Sequence, residues 1–327
     1  KNNFMFIGLK IGKKKILDAL FDENGLSKKK KKRKTKASEG LEVVQKEIFK
    51  TIDNLLAGIK IKEIEAIGIG IPGLVDREGT ITFSPNLPFR NYELAKILEK
   101  RYKVPVFIGN DVNVATVGEW MFGSGKGKKN VLGVFVGTGI GGGIIIENEL
   151  YIGKNGAAGE IGHINLDPNG PFCGCGSRGC LESLASKTAI QKEIETRIYR
   201  GEESLILKSL KENGILKSGP LRDAYLKKDV VVVEAVSKAA ENLGRGLASL
   251  ANIFNPEVIV LGGGVMVELG KELLPIVTRE FDRFAMIDIA KNTEIKMAKL
   301  GDDAGIIGAL ALAKEEMAKK PKSKLGE

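Results

Sequence analysis

One short stretch constrains this chain more than any other. Residues 159–182 contain its only histidine, His163, and all three of its cysteines, Cys173, Cys175 and Cys180, within 18 positions. An imidazole and three thiolates make a closed tetrahedral set, the ligand combination of structural zinc. The spacing His-x9-Cys-x-Cys-x4-Cys suits that reading. Gly174, Gly176 and Gly179 let the backbone turn tightly enough for the sulfurs to converge. Two other readings stand beside it. The cysteines can be ordinary buried thiols with a satisfied core histidine. A disulfide is the weaker rival, because Cys173 and Cys175 are too close to bridge easily and three is an odd count. The set leaves no open coordination position, so the expected metal is structural.

The length of 327 residues suits two domains. With 43% hydrophobic residues, the composition is that of a globular protein. No apolar run approaches a membrane span. The first apolar segment, residues 4–9, is too short for a signal peptide and lacks a cleavage site after it. Reduced, metal-bound cysteines fit a cytoplasmic setting. Only Gln45 and Gln191 represent glutamine, while Lys and Glu are abundant, a compositional hint of a thermophile.

The net charge of +10 suggests nucleic acid until it is located. Residues 1–36 hold 13 basic and three acidic groups, and the remaining 291 residues hold 38 of each. The basicity is therefore local. Residues 28–36, KKKKKRKTK, can be a nucleic-acid or localisation patch. The run lacks the alternation of a strand and the interleaved aromatics of a single-strand binder. The preferred reading is a solvated or disordered loop, with no nucleic-acid partner expected.

Along the chain, residues 4–9 and 16–22 read as strands joined by a turn. Residues 39–58 carry apolar residues at helical spacing. Residues 64–71 and 131–136 read as buried parallel strands. Residues 92–102 read as a helix and 104–108 as a strand leading directly to Asn110 and Asp111. Open α/β sheets place ligands at the carboxyl ends of strands, so Asp111 is well placed for chemistry. The helix 112–120 follows, and Asp111 can equally be its N-cap. Gly137-Thr138-Gly139 and Gly141-Gly142-Gly143 lie between strand 131–136 and a second strand at 144–147. Such a hairpin can turn bare N–H groups toward phosphate; with no helix after it, it is not a dinucleotide fingerprint. Helices are expected at 184–200 and 229–254, with a short helical insert at 201–228. Strand 256–261 leads into Gly262-Gly263-Gly264 and another helix. A short strand at 295–298 precedes a helix at 306–319, and the polar tail from Pro321 should fray.

Gly159-Glu160-Ile161-Gly162-His163, followed by Cys173-Gly174-Cys175-Gly176, Gly179-Cys180 and Glu182, resembles the signature of the ROK family (repressors, open reading frames and sugar kinases). The resemblance covers residues 4 to about 318. It implies an α/β protein of the actin-like ATPase (ribonuclease H-like) fold, with two α/β domains around a cleft. They would be residues 1–115 with a C-terminal helix at about 302–320, and residues 116–301 with the zinc loop and nucleotide turns. The implied activity is ATP-dependent phosphorylation of a hexose, glucose above all, with ATP and Mg²⁺ as cofactors and a homodimer as the assembly. The alternative is a sugar-binding sensor or regulator with impaired turnover.

The resemblance also implies roles. Asp111 is the general base. Gly73, Asn86, Asn110, Glu160, His163 and Glu182 border or hold the sugar, although Glu160 and Glu182 can instead cap a helix or orient a ligand. Gly137, Thr138, Gly139 and Gly141–Gly143 face phosphate, and Gly262–Gly264 adjoin adenosine. Family members carry Asp-x-Gly-Gly-Thr where this chain has Lys10-Ile11-Gly12-Lys13-Lys14, so only Gly12 is retained. Lysines attract phosphate as point charges but cannot help hold Mg²⁺. The fold's first strand begins almost at once, so no room is expected for an N-terminal helix-turn-helix domain.

Overall fold

The computed structural model describes residues 4–319; the tail from Pro321, expected to fray, lies outside them. In chain order the elements begin with β1 (Met5–Ile11), β2 (Lys15–Asp22), β3 (Ser27–Lys34), α1 (Leu41–Leu55), β4 (Ile64–Ile71), β5 (Leu74–Val75), β6 (Ile81–Phe83) and β7 (Arg90–Tyr92). Next come α2 (Leu94–Tyr102), β8 (Val106–Asn110), α3 (Asp111–Phe122), β9 (Val131–Val136), β10 (Ile140–Ile146) and β11 (Glu149–Leu150). The rest is mainly helical: α4 (Leu181–Ala185), α5 (Lys187–Tyr199), α6 (Leu207–Asn213), α7 (Ser218–Leu226), α8 (Val230–Phe254), β12 (Val258–Gly262), α9 (Gly264–Phe284), α10 (Ile287–Asn292), β13 (Glu294–Met297) and α11 (Ala304–Lys319). The chain divides into two units. One comprises residues 1–127, 143–159 and 302–327, the other 128–142 and 160–301.

In the first unit the sheet order is β3-β2-β1-β4-β8. β1–β2 and β2–β3 pair antiparallel, and β1–β4 and β4–β8 pair parallel. β4 is apolar on both faces, as a central parallel strand must be. On one face, Val44, Ile48, Ile52 and Leu55 of α1 pack with Ile7, Leu9, Ile16 and Leu20. The other face takes α11, where Ile306 and Leu310 join Phe6 and Phe21. That contact is backbone-close: a Cβ on Gly68 would lie 1.8 Å from the carbonyl oxygen of Ala309.

The lysine run corrects the sequence reading. Residues 27–34 form an edge strand rather than a loop. Main-chain pairing with β2 from Lys15 to Phe21 does not depend on side-chain type, and lysine is well suited to an exposed edge. Lys29 donates to the carbonyls of Leu55 (3.4 Å) and Ala57 (3.1 Å), and Lys30 pairs with Asp303. Crowding remains: Lys15 lies opposite Lys34, and the adjacent Lys32 ammonium pushes Lys15 below its ordinary value.

In the second sheet the order is β11-β10-β9-β12-β13, with β9, β12 and β13 parallel. The helix expected over 184–200 is two helices. The break falls at Ser186, whose hydroxyl caps α5 by accepting from the Ala189 N–H at 3.1 Å. The insert 201–228 folds as α6 and α7. Among the described residues no helix is long and apolar enough to cross a membrane.

Candidate functional site

In the first unit, the carboxyl ends of β4 and β8 come side by side, with Ile71 opposite Asn110. Asn110, not Asp111, caps α3. Its Oδ1 accepts from the N–H groups of Val112 (2.8 Å) and Asn113 (3.2 Å), and its Nδ2 donates to Gly73 O at 2.9 Å. Asn immediately before a helix is a recognised capping signal, so this role was readable from the sequence. Capping by Asn110 leaves the Asp111 carboxyl, on the first residue of α3, without that duty. Burial raises the Asp111 carboxyl above its ordinary value, and the Lys10 charge opposes that rise.

Gly73 has φ +132°, and a Cβ there would lie 2.3 Å from Phe83 O and 2.9 Å from Ser84 Cα. Its bareness lets the segment after β6 press against the turn, where the Ser84 hydroxyl donates to Pro72 O at 2.6 Å. Asn86 is exposed on the loop between β6 and β7. Gly12 begins the turn from β1 to β2, donating to Lys15 O at 2.9 Å. Lys13 and Lys14 are exposed on that turn.

In the second unit, β9 runs into the glycine hairpin, closed by Gly137 N–H to Gly139 O at 2.8 Å. The start of α5 holds it from outside: Lys187 N–H donates to Gly137 O (2.9 Å) and the Thr188 hydroxyl to Thr138 O (2.7 Å). Nothing in the sequence signalled those two contacts. Glu182 reaches the same hairpin, its Oε2 accepting from Ile140 N–H at 2.9 Å. A Cβ at Gly139 would lie 2.2 Å from that carboxylate. Gly141 and Gly142 continue along β10. Gly143, in the first unit, is pressed against Thr116 Oγ1, 2.3 Å from where its Cβ would be. Gly262 ends β12, Gly263 precedes α9 and Gly264 opens it. Gly263 has φ +88°, and a Cβ there would lie 2.4 Å from Val136 O. The turn after β12 is thus packed on the end of β9.

The predicted ligands converge. The donor atoms of His163, Cys173, Cys175 and Cys180 lie within 4.8 Å of one another. His163 Nδ1 is 3.6 Å from Cys173 Sγ, and Cys175 Sγ is 3.7 Å from Cys180 Sγ. The three cysteines are unbridged thiols. With zinc bond lengths, tetrahedral edges are about 3.6 Å for N···S and about 3.8 Å for S···S, so the donor set fits a four-coordinate ion of that size. Burial, then the adjacent thiols, pushes Cys180 up to about 12. A cation would reverse that pressure by favouring thiolates. Glu160 precedes the 3₁₀ turn that carries His163, and its Oε2 lies 3.9 Å from His163 Nε2. The second imidazole nitrogen therefore faces a carboxylate, the outer-sphere partner that metal-bound histidines favour. Glu182 Oε1 is 3.8 Å from Cys173 Sγ.

The fold therefore brings Gly73, Asn110 and Asp111 together in one unit. In the other it brings His163 and the cysteines together with Glu160, Glu182 and the hairpin. Two α/β units, a glycine hairpin after a parallel strand and a carboxylate at the end of another define the actin-like ATPase class of fold. The chain belongs to the ROK family, whose sequence model spans residues 6–316. A glucokinase of Halalkalibacterium halodurans is 35% identical over 315 residues, covering 95% of this chain and 95% of that protein. A ROK family glucokinase from Streptomyces griseus, crystallised with glucose and AMPPNP, matches with a TM-score of 0.80 and 34% identity, covering 95% of this chain and 99% of that one. A xylose repressor of Caldicellulosiruptor bescii is 34% identical over 257 residues, 78% of this chain and 64% of the repressor.

Proposed function

We propose that the chain transfers the γ-phosphoryl group of ATP to a hexose, with glucose the first sugar to test. The observation that carries this reading is the whole-length similarity to a glucokinase, in a chain that keeps an aspartate at the carboxyl end of β8. Phosphoryl transfer is mainly positioning and charge stabilisation, with a general base adding roughly 10²–10⁴-fold. Asp111 is the base. Gly73, Asn86, Asn110, Glu160, His163 and Glu182 form the sugar side. Asn110 orients the turn at Gly73 and keeps one amide hydrogen for a hydroxyl.

The Gly137–Gly143 hairpin and Gly12 face the phosphates, and Gly262–Gly264 the adenosine. Magnesium would accompany the ATP. His163, Cys173, Cys175 and Cys180 would hold zinc, which fixes the loop and supplies no bond-making step. Unbridged thiols support a cytoplasmic setting, and family resemblance supports a homodimer.

The test is glucose with ATP and magnesium, read as glucose 6-phosphate. Turnover on the order of 1–100 per second is expected. Asp111→Asn should cut kcat at least about 100-fold while sugar affinity stays within a few-fold. Near-normal turnover in that variant removes Asp111 as base. A second reading, a sensor that binds sugar without turnover, draws on Lys13 and Lys14 in the β1–β2 turn. Calorimetric sugar binding with no product would select it.

A further inference from the structure

Lys10 lies near the carboxyl end of β1. It pairs in register with Gly70 of β4, and Gly70 with Gly109 of β8. Residues in register share one face of a sheet. On that face a Cβ at Gly70 would lie 3.2 Å from Val114 and 3.7 Å from Asp111 Cα, and one at Gly109 2.9 Å from Val114. It is therefore the face that carries the first turn of α3, with Asp111 at its start. The Lys10 stem runs across the first turn of α11, where a Cβ on Gly305 would lie 2.3 Å from Lys10 Cδ. Bare glycines on both sides open a track that brings this side chain toward Asp111.

The other charged groups around Asp111 can be enumerated. On α3 the next is Glu119. On α11 the first is Lys314, and before it stand Asp302 and Asp303, the latter paired with Lys30. β8 carries none, and β4 only Glu65 at its far end. Lys10 is the charged side chain whose field bears on the Asp111 carboxyl, acting against burial.

We propose that Lys10 is a positioning residue for phosphoryl transfer, its ammonium keeping Asp111 charged and oriented to accept the sugar proton. This rests on Asp111 being the base. In the step, the hydroxyl proton passes to the Asp111 carboxylate as the sugar oxygen bonds to the γ-phosphorus. The bond from that phosphorus to the β–γ bridging oxygen breaks, and ADP leaves with its electron pair. Burial alone favours the neutral carboxyl, and the neutral form cannot accept the proton. A cation at Lys10 extends the charged form to lower pH.

The test is the pH dependence of kcat/KM, whose acid limb reports the free-enzyme base. Lys10→Met keeps the alkyl stem over Gly305 and removes the charge. Its acid limb should move up by on the order of one pH unit. On the acid limb, well below the apparent pKa of both proteins, activity should fall roughly ten-fold, and it should recover on the plateau above. Lys10→Arg should keep the wild-type limb, and Lys10→Gln should move it as methionine does, which covers a methionine variant that does not fold. An unmoved limb in both neutral variants, with Asp111→Asn inactive, overturns the role of Lys10 and leaves the base intact. An active Asp111→Asn instead sinks the base assignment itself.

Discussion

Replacing Asp18 by valine should make the protein more stable. Asp18 is fully buried, and neither of its carboxylate oxygens has a hydrogen-bond partner. On β2 it alternates with Ile16 and Leu20, both members of the core under α1. The register sets it opposite Leu9 on β1 and Lys31 on β3. Burial raises its carboxyl above the ordinary value of 3.8, and the attraction of Arg33 and Lys31 works the other way.

An unpartnered buried polar group costs about 1–3 kcal/mol, while removing one member of a set of opposite charges works the other way. Allowing for the lost attraction to Arg33 and Lys31, the gain should be about 1–2 kcal/mol at pH 7, or roughly 1.5–3 °C in Tm for a chain of this length. The pH dependence gives a second handle. A carboxyl whose folded pKa lies above its unfolded one binds more proton when folded, so wild-type stability falls as pH rises from the unfolded to the folded value. Valine has no such loss. The gap between the proteins should therefore be small below pH 3.8, open through that window and stay open above it. Denaturant unfolding at several pH values measures it. A variant less stable than wild type at pH 7 would refute the argument, because Arg33 and Lys31 would then outweigh burial. A gap independent of pH would refute it equally.

Two further outcomes are expected. Cys175→Ser removes one of four converging donors, so the variant should bind zinc more weakly by elemental analysis, and sugar affinity should fall with it; affinity that survives metal loss separates the cysteine loop from the sugar. On β3, Lys32→Thr relieves the crowding with Lys15 and should raise Tm at low salt, with the advantage shrinking between about 0.05 and 0.5 M salt as screening takes over. For Lys15, whose folded value is lowered, wild-type stability should rise as pH climbs toward 10.5. A Tm that ignores both salt and substitution would mean the ammonium groups stay apart in solution.

Some of this fold is legible in the sequence alone. The apolar runs of β4 and β9 fall on the residues read for them, because a strand buried on both faces has no polar alternative. The stripe of Val44, Ile48, Ile52 and Leu55 located α1. The convergence of His163 with three cysteines was legible because few side chains bind soft metal and all were spent together. β3 was not legible: its side chains carry no strand signal, and its order comes from hydrogen bonds lent by β2. The break at Ser186 is a cap inside an otherwise helical pattern. The two-residue strands β5 and β11 are too short for periodicity to mark. Nor could spacing show Lys10 running over Gly305, since they are distant in sequence and meet only once α11 is laid on the sheet.

Glu182 shows why the cysteine loop and the glycine hairpin belong to one device within their unit. It stands two residues after Cys180, in the first turn of α4. One carboxylate oxygen accepts from Ile140 N–H and the other faces Cys173 Sγ. The same α4–α5 segment supplies the contacts from Lys187 and Thr188 to Gly137 and Thr138. Glycine N–H groups can present a concave face to phosphate only while something else sets their direction, because glycine has no conformational preference of its own. Here that direction is set by Glu182 and the start of α5, and both follow Cys180 in the chain. A cluster that holds Cys180 in place therefore holds the hairpin as well.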